Sequence, residues 1–262
     1  MWGVIVNRFK QKFRTLSYPP DVPSFPKRFR GRPVIAAAET QTPLDKDKDP
    51  LGTVVLEKKP VLDMGKCLFN EDIKRIFSKE ILTYSQDHRM AVSKREDLIL
   101  RDDEIRLAAA LEEKTKRIFG RSLKLREVCA GSCGGCDAEI QAMSNVVFDL
   151  SRFGVQFVAS PRHADGLMIT GPVTKNMELA LKKTYEAVPH PKIVIAVGAC
   201  AISGGPFQGG KEVHDGVDGL ITVDLYIPGC PPHPLTILDG LLRMLDRLEG
   251  KNRAIKGRRG KF

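Results

Sequence analysis

No apolar run in this sequence approaches the ~18 residues that a transmembrane helix needs. The amino end also lacks the apolar core and small-residue cleavage site of a secretory signal. Neither a membrane span nor export is expected, and the default compartment is the cytosol. Aromatic residues are only 6% of the chain and no interleaved aromatic platform accompanies its basic stretches, which sets nucleic acid aside as a partner. No internal repeat is present, and no catalytic acid, nucleophile or substrate pocket can be defended from the residues alone. In a reducing compartment disulfides are disfavoured, so the six cysteines at 67, 129, 133, 136, 200 and 230 point to metal or redox use.

The 262 residues, 42% of them hydrophobic, suffice for a sizeable core. The net charge of +10 is concentrated at the ends, in "NRFKQKFR" and "KNRAIKGRRGKF". Such segments are solvated tails, or contacts with anionic lipid or an acidic subunit. In residues 1–16, Trp2, Ile5, Phe9, Phe13 and Leu16 recur at helical spacing against a basic face. This amphipathic helix could lie on a membrane, dock on a partner or cover the protein's own core. The proline-rich "YPPDVPSFPKRFRGRP" predicts an extended arm, "TPLDKDKDPLG" a polar turn, and residues 93–119 a charged helix acting as a linker. Beyond residue 120, short apolar runs ("LKLREV", "VQFVAS", "GLMIT", "KIVIAVG", "DLYIPG") alternate with helices expected near 134–152, 176–187 and 234–248. That alternation predicts an α/β fold, a mostly parallel sheet with helices on both faces.

Cysteines follow three of those strands, in "LKLREVCAGSCGGC", "KIVIAVGAC" and "DLYIPGC". Ligands of an open parallel sheet collect beyond the carboxyl ends of its strands, so Cys133, Cys136, Cys200 and Cys230 can converge on one point. Four thiolates suit a 4Fe-4S cluster. The alternatives are a structural zinc, which usually pairs two short knuckles, and a redox "CGGC", which leaves Cys200 and Cys230 unexplained. Cys129, at the end of its strand, reads as a buried structural thiol.

The four stretches "AGSCGGCDAEI", "FVASPRHADGLMITGPVT", "VIAVGACAISGG" and "YIPGCPPHP" are similar, in order, to the small cluster-bearing subunit of membrane-associated group 4 NiFe hydrogenases such as formate hydrogenlyase, and to its homologue in respiratory complex I. The resemblance covers about residues 120–246. It implies a flavodoxin-like domain and one 4Fe-4S cluster on Cys133, Cys136, Cys200 and Cys230. It also implies electron transfer to or from a hydrogenase-type large subunit holding the NiFe centre, with further subunits of a membrane-bound complex, at the cytoplasmic side of the cell membrane and peripheral to it. Complex I has a tandem Cys-Cys where this chain has Cys133-x-x-Cys136, which favours the hydrogenase branch. Family members often carry Asp or Asn where this chain has Cys129. The first half resembles the two-cluster ferredoxin-like subunit of the same complexes. Laid on C-x2-C-x2-C-x3-C, however, it offers Cys67, Asn70, Ile73 and Phe77, and "VIAAAETQTPLDKDKDP" holds no cysteine. The expected organisation is therefore an arm and cluster-free ferredoxin-like relic at 1–100 with Cys67 as a buried thiol, a linker helix at 101–120, the cluster domain at 121–250 and a basic tail at 251–262.

Other residues are weighed beside these. Arg162, His163 and Asp165 in "PRHAD" either lie near the cluster, where a cation or a titrating imidazole would tune it, or form a satisfied turn with an Arg–Asp contact. Asp137 and Glu139 either favour the start of a helix or, for Glu139, relay a proton. "GGPFQGG" lacks the Lys-Ser/Thr ending of a phosphate loop and is an ordinary loop, while His233 is second shell or simply exposed. The rival functions are a quinone-reducing module like complex I, a hydrogenase-related complex without NiFe, and a zinc-stabilised binding scaffold.

Overall fold

The computed structural model describes residues 2–12, 14–35, 49–56, 60–73, 82–101, 105–111 and 122–248. Phe77, most of the cysteine-free stretch after Pro33, the linker beyond residue 111 and the basic tail fall outside them.

The second half is built on a five-stranded parallel sheet of β6 (Leu123–Cys129), β7 (Val155–Phe157), β8 (Gly166–Thr170), β9 (Ile193–Val197) and β10 (Leu225–Ile227), in spatial order β7-β6-β8-β9-β10. This is the flavodoxin-type order, with its topological switch between β6 and β8. The apolar runs are continuous because both faces are covered: every residue of β8 and β9 is buried. Met168, Ile193, Ile195 and Val197 pack on one face with Ile140 of α2 (Gly135–Ala142) and Leu238, Leu241 and Leu242 of α5 (Pro234–Met244). Leu167, Ile169, Val194 and Ala196 face Leu181 of α3 (Lys175–Ala187) and the first half of the chain. Each such fully buried aliphatic side chain contributes roughly 1.5–3 kcal/mol.

The first half opens with α1 (Trp2–Gln11) and continues as an arm with turns but no regular element from residue 14 to 32. Among the described residues five short strands follow, none of which the hydrophobic pattern indicates: β1 (Pro33–Ile35), β2 (Val54–Leu56), β3 (Pro60–Asp63), β4 (Leu82–Tyr84) and β5 (Ile99–Leu100). The antiparallel pair β1–β4 brackets, along the chain, the antiparallel hairpin β2–β3, to which β5 adds a third strand. Leu62, Met64, Cys67, Leu82, Leu98 and Leu100 are buried in the same core as one face of the parallel sheet. Val92 exchanges both backbone hydrogen bonds with Tyr226, antiparallel, and so covers the free edge of β10.

The linker helix does not form in the described part of its span. Residues 95–98 are a single 3-10 turn, 99–100 a strand, and 105–111 have no regular structure. The backbone amides of Ala108 and Leu111 go instead to the carbonyls of Ala91 and Met244, so tertiary partners displace the intrahelical bonds that composition favours. The helix expected over 134–152 stops at Ala142, where Asn145 turns the chain by accepting from the amides of Val147 and Phe148.

Candidate cluster site

The carboxyl ends of the parallel strands carry the site. β6 ends at Cys129, and the loop after it bears Cys133 before α2 begins, with Cys136 in the first turn of α2. Cys200 lies in α4 (Gly198–Ser203), a one-turn-and-a-half helix that the glycine-broken sequence conceals, and Cys230 sits in the loop between β10 and α5. Gly198, at φ 87°, makes the turn from β9 into α4, and a Cβ there would fall 2.5 Å from the Cys136 sulfur. A Cβ on Gly205 would lie 2.9 Å from the Cys200 sulfur. The backbone thus closes tightly around the sulfurs, as glycine alone allows.

The four sulfurs form one electrostatic group. Burial pushes the Cys136 thiol upward, and Cys200, Cys230 and Cys133 raise it further. Cys200 is pushed up to about 12 by burial, then by Cys230 and Cys133. Cys230 rises through burial and then Cys133. Four thiolates this close repel, and bound iron would relieve that repulsion, since metal ligation deprotonates thiols. Among the described residues no group of three or more His, Cys, Asp or Glu side chains is placed to hold a single metal ion. Around one zinc at about 2.3 Å the sulfurs would sit about 3.8 Å apart, whereas a four-iron cube takes one thiolate at each of four separate irons. Four thiols are the donor set that such a cube takes.

At the switch between β6 and β8 lies a polar knot that the sequence did not disclose. Asp137 accepts from Thr170 Oγ1 at 2.5 Å and Ser132 Oγ at 2.7 Å, and Ser132 Oγ lies 3.2 Å from Cys129 Sγ. Burial raises the Asp137 carboxyl, but hydrogen bonds from Thr170, Ser132, Cys129 and Glu127 outweigh it and hold it below the usual range. Glu127 is pushed up to about 7 by burial and the Asp137 charge. Parallel pairing of Cys129 with Thr170 brings these groups together, a long-range register that local spacing does not encode. Asp137 does lie in the first turn of α2, but its oxygens bind across the sheet, and Gly134 caps the helix without a side-chain bond. Cys129 is exposed, which corrects the expectation of a buried thiol.

A cavity of about 280 Å³ opens beside Cys230, walled by Phe29, Phe69, Glu139, Pro232 and the buried Thr236. Burial raises the Glu139 carboxyl. His233 is not a free imidazole: its Nδ1 accepts the Leu235 amide at 3.1 Å, capping α5, while Phe25, Phe29 and Phe148 meet its ring edge to face. Burial and then His88 hold it down at about 4. Cys67 is fully buried as expected, its sulfur accepting from the Phe69 amide at 3.3 Å, and it lies near enough to Cys230 for the two to interact. Arg162 and His163 precede β8 in a 3-10 turn and so occupy the opposite end of the sheet from the cysteines. There Asp165 accepts from the Lys124 amide at 2.7 Å in place of the expected Arg–Asp contact, so "PRHAD" is a turn with no part in the site. "GGPFQGG" includes a 3-10 turn packed beside Cys200, not a phosphate loop.

Residues 133–244 match the family described as NADH ubiquinone oxidoreductase, 20 Kd subunit. The probable membrane-bound hydrogenase subunit mbhJ of Pyrococcus furiosus is 46% identical over 132 residues, 50% of this chain and 79% of that protein. The chain belongs to the 20 Kd subunit family. Two further relatives show its breadth. Formate hydrogenlyase subunit 7 of Escherichia coli is 43% identical over 55% of each chain. An NADH-quinone oxidoreductase subunit of Bacteroides thetaiotaomicron is 44% identical over 48% of this chain and 64% of its own length. Members of the 20 Kd subunit family are thus subunits of oxidoreductases, and the matched segment contains Cys133, Cys136, Cys200 and Cys230 while leaving Cys67 and Cys129 outside.

Proposed function

We propose that this chain is the electron-relay subunit of a membrane-associated, hydrogenase-type complex, and that Cys133, Cys136, Cys200 and Cys230 hold a single 4Fe-4S cluster. The observation that carries the reading is the gathering of four thiols from three strand-to-helix connections at the carboxyl end of one parallel sheet, where Cys133 and Cys230 raise the charging cost of both Cys136 and Cys200. When bound, the cluster would supply one-electron transfer to or from a large subunit, the bearer of the catalytic NiFe centre. The protein's own work is positional. Gly198 and Gly205 let the backbone close on two of the sulfurs, and the rigid α5 cap at His233 fixes the loop that carries Cys230. Residues 1–100 serve as a cluster-free ferredoxin-like docking unit, a reading supported by the β2–β3 hairpin set between the partners β1 and β4. The complex lies at the cytoplasmic side of the membrane, and this chain attaches to it peripherally. No helix of the described residues is long and apolar enough to cross a membrane.

The resemblance to the NADH-quinone oxidoreductase relative carries a second reading, in which the acceptor is a quinone. Nickel-ligating cysteines in the partner's sequence separate the two, being present for hydrogenase and absent for quinone reduction. Anaerobic purification of the chain tests the cluster itself. About four iron and four acid-labile sulfide per chain are expected. One zinc without colour overturns the reading in favour of a scaffold.

A further inference from the structure

We propose that α1 is a membrane-surface helix that seats the protein on an anionic lipid leaflet. The proposal deepens the peripheral placement above and does not depend on the cluster. At 100° per residue Trp2, Ile5, Val6 and Phe9 share one side of α1. That side is not packed into the core of the described residues: α1 has no buried residue, Val6 is only partly covered, and Trp2 is 77%, Ile5 44% and Phe9 79% exposed. The alternative that this helix covers the protein's own core is thereby removed. Lys10 borders the apolar side on one edge and Arg8 on the other, Lys12 and Arg14 follow, and no acidic residue occurs before Asp21. Ten residues rise only about 15 Å, too short to span a bilayer but enough to lie in its surface.

The cations favour lipid over an acidic protein because they are spread along both edges and on to Lys12 and Arg14 beyond the helix. A diffuse negative surface takes up all of them at once, while their stems lie beside the inserted rings. The chain shortly after the helix is tied down. Leu16 packs in the core and its amide donates to the Val147 carbonyl at 2.9 Å, while Thr15 Oγ1 donates to the Val146 carbonyl at 2.8 Å. Val146, 65% exposed, adds apolar surface at that tether. The tether is the turn that ends α2, the helix bearing Cys136, so the leaflet would be fixed relative to the cysteine site.

Trp2 is the only tryptophan, which makes its emission a direct reporter. The purified, cluster-loaded full chain is mixed with phosphatidylcholine vesicles with and without phosphatidylglycerol, and emission and co-sedimentation are read. With the anionic vesicles the emission shifts to the blue and the protein pellets. Phe9→Ser weakens both effects, and the double variant Arg8→Glu, Lys10→Glu weakens binding by about 25-fold or more, at roughly fivefold per cation lost. Because α1 buries nothing, both variants keep their iron content, which separates failure here from failure of the cluster reading. Emission that stays unchanged with protein left in solution overturns the proposal, as does binding indifferent to the charge reversal. A blue shift produced only by the purified large subunit also overturns it and assigns α1 to a protein interface.

Discussion

At the scale of single residues, the site separates thiols of the same chemistry by where the strands deliver them. Cys133, Cys136, Cys200 and Cys230 act on one another electrostatically, while Cys129 bonds Ser132 within the polar knot. Serine at any of the four therefore lowers iron and sulfide content well below that of the parent, whereas Cys129→Ser retains both. Metal analysis beside visible absorption checks the contrast. A Cys129→Ser protein that loses its iron would reassign the ligand set. Glu127 yields a second expectation. Its carboxyl is held up at about 7 by burial and Asp137, and its Oε1 is buried without a hydrogen-bond partner. A raised folded-state pKa means the folded protein holds the proton more tightly. This contribution is therefore full below the ordinary carboxyl range and is lost as pH rises towards and through about 7. Glu127→Gln, which mimics the protonated form, should raise the melting temperature above pH 7 and leave it nearly unchanged below pH 4.5; parallel melts of the two proteins read this directly.

Elements explain why part of this site was legible from sequence and part was not. The runs "GLMIT" and "KIVIAVG" announce buried parallel strands through their own composition, and the rule that ligands gather at carboxyl ends then places Cys133, Cys136, Cys200 and Cys230 without any long-range information. The same rule, applied to "PRHAD", would have put Arg162 and His163 at the far end, since they precede their strand. The Asp137–Thr170 bond depends on which strand neighbours β6, and strand order is not written in local pattern. The charged stretch 93–111 has helical composition, yet the amides of Ala108 and Leu111 find carbonyls elsewhere in the fold. α4 is hidden in the pattern because Gly198 and Gly204 bracket it so closely. That brevity has a consequence. In Gly198→Ala the residue must hold φ 87° at a cost of about 1 kcal/mol or more, and its methyl meets the Cys136 sulfur. The expected protein folds, with a slightly lowered melting temperature, but retains less iron per chain than the parent. Full iron occupancy would show that α2 or α4 shifts freely, and the tight closure around the sulfurs would then have no functional weight.

At the scale of the whole molecule, the two halves share one core instead of meeting at a wet seam. Leu62, Met64, Leu98 and Leu100 of the first half are buried in the same cluster as Leu167, Ile169 and Val194 of the sheet. A polar tie reinforces the contact, Ser203 Oγ donating to the Gly65 carbonyl at 2.8 Å, while within the first half Arg95 grips Asp63 with two guanidinium nitrogens, at 2.9 and 2.7 Å. Val92 and Tyr226 extend the backbone pairing from one half to the other. If residues 1–100 were an independent module on a linker, calorimetry would resolve two transitions, and a core substitution in the first half would move only one. With a shared core the chain should instead unfold in a single transition. Leu62→Ala, which empties a fully buried site, should then lower it by about 2–5 kcal/mol for the whole molecule. Because the sheet face it uncovers lies behind β9 and α4, the same substitution should speed the loss of iron on mild warming. Its effect on iron loss distinguishes a first half that holds the cysteine loops in place from one that is merely attached to them.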